Sequence, residues 1–302
     1  MNPELIAHLS AAIDSSTHQP FEVRDVAPVG GGCINEAYRL EGVDSSRYFL
    51  KLNKARHLPM FVAEAEGLSA IAATNTIRVP QPVAHGTANS HSFLVLEYLE
   101  LGNRSNAALL GKQLAALHRC TSSRFGLMQD NFIGTTPQPN GWKDSWIDFW
   151  REQRLGFQLR LAEGNGYGGQ LQTLGNRLLD TLPAFFAGYT PQPSLLHGDL
   201  WSGNHAFLAD GTPAIFDPAV YYGDRECDLA MTELFGGYSA DFYAAYRAAY
   251  PLDSGYAVRR DLYNLYHILN HANLFGGGYA RQAEQMMQKL LAATAHFHTK
   301  IS

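Results

Sequence analysis

A histidine, an aspartate and an asparagine stand close together between residues 197 and 204 of this chain. The pattern is His197-x-Asp199, followed five residues later by Asn204. Transfer of a phosphoryl group to an alcohol needs a carboxylate that orients the hydroxyl and accepts its proton, with a metal ligand nearby. Asp199 can supply the carboxylate and Asn204 the metal ligand. The spacing therefore indicates phosphoryl-transfer chemistry, with Asp199 as the base.

A second carboxylate follows at the end of an apolar run. Asp217 comes directly after Ala214-Ile215-Phe216, where a strand is expected to end. A carboxylate in that place suits a Mg²⁺ ligand and would complete a metal pair with Asn204. The order is that of a protein-kinase catalytic loop and metal-binding segment, but the loop arginine is absent and Asp217-Pro218-Ala219 replaces D-F-G. The alternative is an aspartate that opens a turn before proline.

A glycine-rich segment lies upstream, between two expected strands. Its residues Gly30, Gly31 and Gly32, together with Asn35, could let backbone amides approach the phosphates of ATP. The segment matches neither the Walker pattern nor a full G-x-G-x-x-G motif. A flexible hairpin is the alternative interpretation.

A lysine inside an apolar strand also needs an explanation, because burying an ammonium group without a partner is costly. Lys51 lies in Arg47-Tyr48-Phe49-Leu50-Lys51-Leu52 and could contact the α- and β-phosphates. Its partner should be Glu64 or Glu66 in the following helix, and Glu64 is preferred because it shares the helix edge that carries Leu68. A solvated lysine at the edge of a sheet is the alternative.

The order of strand-like and helix-like segments around these groups predicts an α+β, bilobal, protein-kinase-like fold. A small N-terminal antiparallel β lobe (residues 1–98) would carry the glycine loop, Lys51 and a helix over 60–73. It would end at Glu97-Tyr98-Leu99, a connector that presents backbone groups to adenine. A larger, mainly helical lobe (99–302) would follow, with helices over 107–120, 146–162 and 171–186 and from 229 to about 298. The stretch 125–142 is predicted to be loop.

Composition narrows the classes of partner. The 302 residues are 46% hydrophobic and carry a net charge of −5 without a basic run, so neither nucleic acid nor an anionic membrane is expected to bind. No apolar stretch is long enough to span a bilayer. The three cysteines form no CxxC pair, which argues against a zinc site or a disulfide framework and favours a cytoplasmic location.

Five segments together resemble the fructosamine-3-kinase (ketosamine-3-kinase) family, related to aminoglycoside and choline kinases: GGGCIN, YFLKLN, LVLEYLE, LHGDLWSGN and IFDPAVYYGDRECDLAM. The resemblance covers about residues 20–290. It implies transfer of the ATP γ-phosphate to the 3-hydroxyl of a fructosamine, ribulosamine or erythrulosamine adduct, and release of the amine (deglycation). It also implies that Asp199 is the base, that Asn204 and Asp217 hold Mg²⁺, and that Lys51 pairs with Glu64.

Three further residues gain interpretations within this resemblance. Trp201 could pack its indole against the sugar–amine substrate or be structural, and Asp224 could lie near a cationic amine or belong to the turn before the next helix. Cys33 follows the glycine run, where oxidation could block nucleotide binding or link two chains, so the protein would be a monomer or a redox-linked homodimer. An unreactive hairpin residue is the alternative for Cys33.

Two other functions stay open. One is a kinase for another small alcohol, such as an aminoglycoside, choline or homoserine, with the same catalytic residues. The other is a catalytically inactive kinase-like binding module, which would usually have lost the base, a metal ligand or the strand lysine. All of these residues are present here.

Overall fold

The computed structural model of the protein describes residues 1–30 and 34–298. Gly31, Gly32 and Cys33 lie outside the described residues, and with them most of the predicted glycine loop and the predicted redox site. The chain forms two compact units. Unit 1 comprises residues 1–106 and 204–218, and unit 2 comprises residues 107–203 and 219 onward. The two-domain division at residues 98/99 stays a prediction.

Strands outnumber helices in the first hundred residues, and helices dominate thereafter. The helices are α1 Pro3–Thr17, α2 Leu58–Ala73, α3 Ala107–Leu117, α4 Trp146–Phe149, α5 Gly156–Gly164, α6 Gln170–Phe185, α7 Glu226–Leu234, α8 Ala240–Ala249, α9 Tyr256–Phe275 and α10 Tyr279–His298. The strands are β1 Val23–Pro28, β2 Glu36–Gly42, β3 Arg47–Lys54, β4 Pro82–Ala88, β5 His91–Glu97, β6 Asn131–Ile133, β7 Thr136–Gln138, β8 Ser194–Leu196, β9 His205–Phe207, β10 Pro213–Ile215 and β11 Tyr221–Gly223.

The main sheet of unit 1 has five antiparallel strands in the order β1-β2-β3-β5-β4. Helix α1 covers one face of it, because Leu5, Leu9 and Ile13 recur on one side of the helix and pack in the same core cluster as Leu50 of β3. Successive side chains of a strand face opposite sides of a sheet. Lys51 therefore lies on the face of β3 opposite to Leu50.

A two-stranded ribbon contributed by residues 205–215 completes unit 1. Strands β9 and β10 pair antiparallel, with His205 opposite Ile215 and Phe207 opposite Pro213. The amide of Ile215 donates to the carbonyl of Arg78 at 3.0 Å, and Leu101 bridges to Leu208. The ribbon is thus hydrogen-bonded to the N-terminal hundred residues of the chain.

Unit 2 is built around a core of buried aromatic and aliphatic side chains. Trp146, Trp150 and Tyr263 contact one another in it, with ring centroids 4.9–6.1 Å apart. The short strands β8 and β11 pair antiparallel, with Leu196 opposite Tyr221, directly before the His197 segment. This pairing fixes where that segment begins.

Two sequence-based predictions about unit 2 are wrong in detail. The stretch 125–142 is not all loop, since β6 and β7 form a hairpin with Asn131 opposite Gln138. The predicted helix over 146–162 is interrupted by a π-helical segment at Trp150–Leu155. No helix in the part of the chain that the structure describes is long and apolar enough to cross a membrane.

Candidate active site

Lys51 is the centre of a buried charge cluster in unit 1. Its ammonium lies 2.7 Å from Oε1 of Glu64 and 2.5 Å from Oδ1 of Asp217. Only 7% of the Lys51 side chain is exposed, compared with 46% for Asp217. Helix α2 presents Glu64 to the sheet, while Glu66 is on its exposed side. The structure therefore contains the ion pair predicted between Lys51 and Glu64.

Burial and the neighbouring charges shift the pKa values of Lys51 and Glu64. Burial alone would lower the pKa of Lys51, but the carboxylates of Asp217 and Glu64 raise it overall, so the lysine stays cationic. Burial raises the pKa of Glu64 to about 7, against the opposing effect of Lys51. The single ammonium group of Lys51 thus contacts two acidic side chains. Asp217 is the more exposed of the two, so a second cation would bind more favourably there than at Glu64.

Asn204 and Asp217 flank the same end of the β9–β10 ribbon. Asn204 precedes β9, Asp217 follows β10, and the amide of Phe216 donates to the Asn204 carbonyl at 3.1 Å. The backbone of Asp217 is left-handed, with φ +58°, which is uncommon for a residue other than glycine. Amide and carboxylate oxygens are ligands of the type that Mg²⁺ takes. The two residues thus offer oxygen atoms of the type that a divalent cation takes, and the Asp217 carboxylate is half-exposed.

The predicted adenine connector follows the end of β5. Glu97 is the last residue of that strand, and Tyr98 and Leu99 come directly after it. The Glu97 carboxylate is bound by Arg78 and accepts the amide of Gln81 at 3.2 Å, so this side chain serves the scaffold. At this connector, adenine could then contact the backbone and the half-buried side chains of Tyr98 and Leu99.

Two predicted phosphate-loop residues lie within the described part of unit 1. An alanine-type Cβ placed on Gly30 would meet no atom of the described residues within 4 Å. Asn35 accepts a hydrogen bond from the Asn53 side chain at 2.7 Å. This bond ties the start of β2 to β3, two residues from Lys51.

The segment that carries Asp199 belongs to unit 2 and is held through its backbone. The carboxylate of Asp228 accepts the amides of His197 and Gly198, at 2.7 and 2.8 Å. The amide of Ala219 donates to the His197 carbonyl at 2.8 Å. Gly198 has φ +85°, and a Cβ there would lie 2.1 Å from the Ala219 carbonyl oxygen, so glycine is required. Asp199 itself is partly exposed between buried neighbours.

A buried histidine completes the support of this segment. His118, at the end of α3, contacts Asp228 through Nε2 at 3.0 Å and the Tyr246 hydroxyl through Nδ1 at 2.8 Å. Burial would raise the pKa of Asp228, but the hydrogen bonds from His118 and the loop amides lower it overall. Sequence reasoning missed His118. Its one available signal was a histidine that follows directly after the apolar face of a helix.

Trp201 lies two residues beyond Asp199, and its side chain is 38% exposed. A Cβ on Gly203 would lie 2.3 Å from the indole, so the ring folds back over a position that has no side chain. The Trp201 carbonyl accepts the hydroxyl of Tyr238 at 3.1 Å. The exposed part of the indole is available to a ligand, whereas its backbone is fixed.

Asp224 is placed differently from the expected substrate contact. The side chain is fully buried and accepts hydrogen bonds from the hydroxyls of Tyr263 and Tyr189, at 2.5 and 2.9 Å, and from the amide of Glu226 at 3.0 Å. Such a carboxylate has no surface to offer an amine. Asp224 is therefore assigned to the scaffold of unit 2.

The family described as fructosamine kinase matches residues 5–293. The chain belongs to the fructosamine kinase family. This membership confirms the family predicted from the sequence motifs and the assignment of the chain as a phosphotransferase.

Relatives of this fructosamine kinase family member match over nearly its full length. A protein of Synechocystis named probable ketoamine kinase is 51% identical, covering 94% of this chain and 96% of the relative. The chloroplastic protein-ribulosamine 3-kinase of Arabidopsis thaliana is 42% identical, over 89% and 83% of the two chains. A crystal structure from Haemophilus somnus, named as a fructosamine-3-kinase, has a TM-score of 0.85 at 30% identity, over 94% and 96%. The fold is protein-kinase-like, as predicted.

Proposed function

We propose that this protein transfers the γ-phosphoryl group of ATP to the 3-hydroxyl of ketosamines. The observation that carries the proposal is the cluster in which Lys51 bridges Glu64 and Asp217 while Asp217 shares a ribbon end with Asn204. A nucleoside triphosphate and its metal would be held by groups of this kind, a buried lysine and two oxygen-bearing side chains. The names of the relatives, ketoamine kinase and ribulosamine 3-kinase, supply the class of acceptor.

The nucleotide would be held by the groups of unit 1. Lys51 would contact the α- and β-phosphates, and Glu64 would keep it in place. The amides at Gly30 and beyond would approach the phosphates, and the backbone after Glu97 would meet adenine. Asn204 and Asp217 would hold Mg²⁺, which supplies positive charge to the phosphates when bound.

Acceptor activation would depend on Asp199. Its carboxylate would accept the proton of the 3-hydroxyl while a bond forms from that oxygen to Pγ and the Pγ–O bond to ADP breaks. Asp228 supports this role because it holds the amides of the two residues before Asp199. The exposed indole of Trp201 would pack against the sugar–amine part of the acceptor.

The phosphorylated product would be a ketosamine 3-phosphate. A phosphate at that carbon destabilises the adduct and frees the amine, so the activity would lead to deglycation of proteins. A cytoplasmic location remains the prediction for this chain. The Arabidopsis relative, by contrast, is named as chloroplastic.

A panel of acceptors tests this proposal. ADP release would be measured with ribulosamine, erythrulosamine and fructosamine, free and protein-linked, against an aminoglycoside, choline and homoserine. We expect turnover on at least one ketosamine and at most trace rates on the other alcohols. Turnover on another alcohol without any on ketosamines would refute the acceptor class. Absence of turnover on all of them, with ATP still bound, would favour an inactive binding module.

A further inference from the structure

A network of buried amides in unit 2 contacts the backbone next to the Asp199 segment. Its members lie on or beside the β6–β7 hairpin. Asn131 donates from Nδ2 to the carbonyl of Val220 at 2.7 Å, and Gln138 donates from Nε2 to the carbonyl of Ala219 at 3.2 Å. Both side chains are at least 95% buried. The carbonyls of two consecutive residues are therefore held by buried side chains of the network.

These amides also orient each other. The Oδ1 of Asn131 accepts hydrogen bonds from Gln138 at 2.8 Å and from Asn140 at 2.9 Å. The Oε1 of Gln138 accepts the hydroxyl of Tyr266 at 2.8 Å. Each amide thus has its oxygen and its nitrogen committed, so neither can rotate without breaking several buried hydrogen bonds.

A buried arginine anchors the network from the π-helical segment. Arg154 is fully buried and donates to Oδ1 of Asn140 at 2.7 Å and to the carbonyl of Pro139 at 2.5 Å. Its guanidinium carbon lies 4.0 Å from the ring centroid of Tyr221 and 4.6 Å from that of Phe149. Among the described residues Arg154 forms no ion pair. A cation buried in this way is costly, which points to a purpose beyond packing.

The network holds the backbone of Ala219 and Val220, and Ala219 contacts the segment that carries Asp199. The Ala219 amide donates to the His197 carbonyl, and the Ala219 oxygen lies only 2.1 Å from the position that a Cβ of Gly198 would take. Movement of Ala219 would therefore move the two residues that precede Asp199. Asp228 holds this segment at its amides, and the network holds Ala219, which binds the segment at the His197 carbonyl.

We propose that Asn131, Gln138, Asn140 and Arg154 are positioning residues for phosphoryl transfer, acting through Ala219 and Val220 on the segment that carries Asp199. None of them would touch the substrate. The inference rests on the proposed function, because it assigns the group being positioned to Asp199. It also gives a purpose to the hairpin and to the interruption of the helix after Phe149.

The test compares Gln138→Leu with Gln172→Leu in the full-length protein. Gln172 is a matched control, because its amide nitrogen, like that of Gln138, donates two hydrogen bonds, here to the carbonyls of Leu159 and Tyr167, but on α6 away from the segment. We expect Gln138→Leu to lower kcat roughly ten- to a hundredfold, with the Kd for ATP within about twofold of wild type. Gln172→Leu should leave kcat within about twofold. Equal kcat values for the two variants would overturn the proposal.

A double-mutant cycle separates positioning from general damage. If the network acts through Asp199, Gln138→Leu should add less than about twofold to the defect of Asp199→Asn. A full, multiplicative loss in the double variant would overturn the proposal. Tyr266→Phe should weaken the network less than Gln138→Leu does, because it removes only the hydroxyl that orients Gln138. It should lower kcat by roughly three- to tenfold, and an unchanged kcat would count against the network.

Hydrogen exchange gives a readout that does not depend on turnover. Peptides covering residues 194–203 and 219–223 should exchange roughly tenfold faster in Gln138→Leu than in wild type or Gln172→Leu. Unchanged exchange would overturn the positioning role even if every ketosamine is a substrate. If the wild type phosphorylates no ketosamine, the proposed function fails. Exchange would then still decide whether the network holds the segment.

Discussion

The carboxylate of Asp228 accepts the backbone amide of Gly198 at 2.8 Å, and its other oxygen accepts the amide of His197 at 2.7 Å. One fully buried acidic side chain thus fixes two consecutive peptide groups directly before the proposed base, Asp199. Because the pKa of Asp228 is lowered overall, its carboxylate stays ionised and both carboxylate oxygens accept strong hydrogen bonds. The geometry of the Asp199 segment therefore depends on a residue about thirty positions later in the chain.

Asp228→Asn should damage both folding and catalysis. Asparagine has one acceptor oxygen, and its NH₂ group would face a backbone amide donor. We expect a loss of about 3 kcal/mol in the free energy of unfolding and a fall in kcat of roughly tenfold or more. Denaturant unfolding and steady-state kinetics measure the two effects. Asp241→Asn, on the exposed start of α8, is the control and should behave as wild type.

Glu64→Gln tests the proposed role of the ion pair in nucleotide binding. The substitution removes the negative charge that holds Lys51 at 2.7 Å and leaves Asp217 as its remaining anionic partner. We expect the KM for ATP to rise about tenfold with little change in the KM for the acceptor. Glu66→Gln is a close control on the exposed side of the same helix. A normal KM for ATP in Glu64→Gln would contradict the assignment.

Gly203→Ala tests the placement of Trp201. The added methyl group would overlap the indole, which must move because the nearest ring atoms would be 2.3 Å away. If the indole contacts the acceptor, the KM for the ketosamine should rise roughly tenfold while that for ATP is unchanged. Tryptophan fluorescence would report the displacement. Gly168→Ala, where a Cβ meets nothing within 4 Å, should change neither quantity. Displacement of the indole with a normal KM would exclude Trp201 from the acceptor site.

His267 predicts a pH dependence of stability. It is buried in α9, and burial lowers its pKa from 6.5 to about 3. The unfolded chain therefore binds a proton between these values that the native chain does not, and stability falls as the pH drops from about 6.5 towards 3. The contribution is about 1.4 kcal/mol per pH unit in that window. His267→Gln should flatten the curve of unfolding free energy against pH there, whereas the exposed control His85→Gln should not. Parallel curves for wild type and His267→Gln would contradict the prediction.

Local sequence patterns were sufficient to predict the ion pair at the centre of unit 1. A lysine within an apolar strand and a glutamate on the inward edge of the next helix predict an ion pair, because both periodicities are regular. The structure contains this pair.

The support of the Asp199 segment could not be predicted in the same way. Helix α7 begins at Glu226, not near residue 229, and its first three residues, Glu226, Cys227 and Asp228, are all buried. Polar residues normally indicate a surface, and only their tertiary partners reverse that expectation. The β6–β7 hairpin was missed for a related reason. Its strands have three residues each, and Asn131 and Gln138 are buried through hydrogen bonds to distant backbone.

The most direct test of the account is the single-turnover rate of Asp199→Asn on a ketosamine that the wild type phosphorylates, at saturating ATP and Mg²⁺. The site of phosphorylation would be read by ³¹P NMR. We predict phosphate at the 3-hydroxyl for the wild type, and a rate lower by roughly two to four orders of magnitude for the variant, with ATP binding preserved. A wild-type rate in Asp199→Asn, or phosphate on another hydroxyl, would contradict the account.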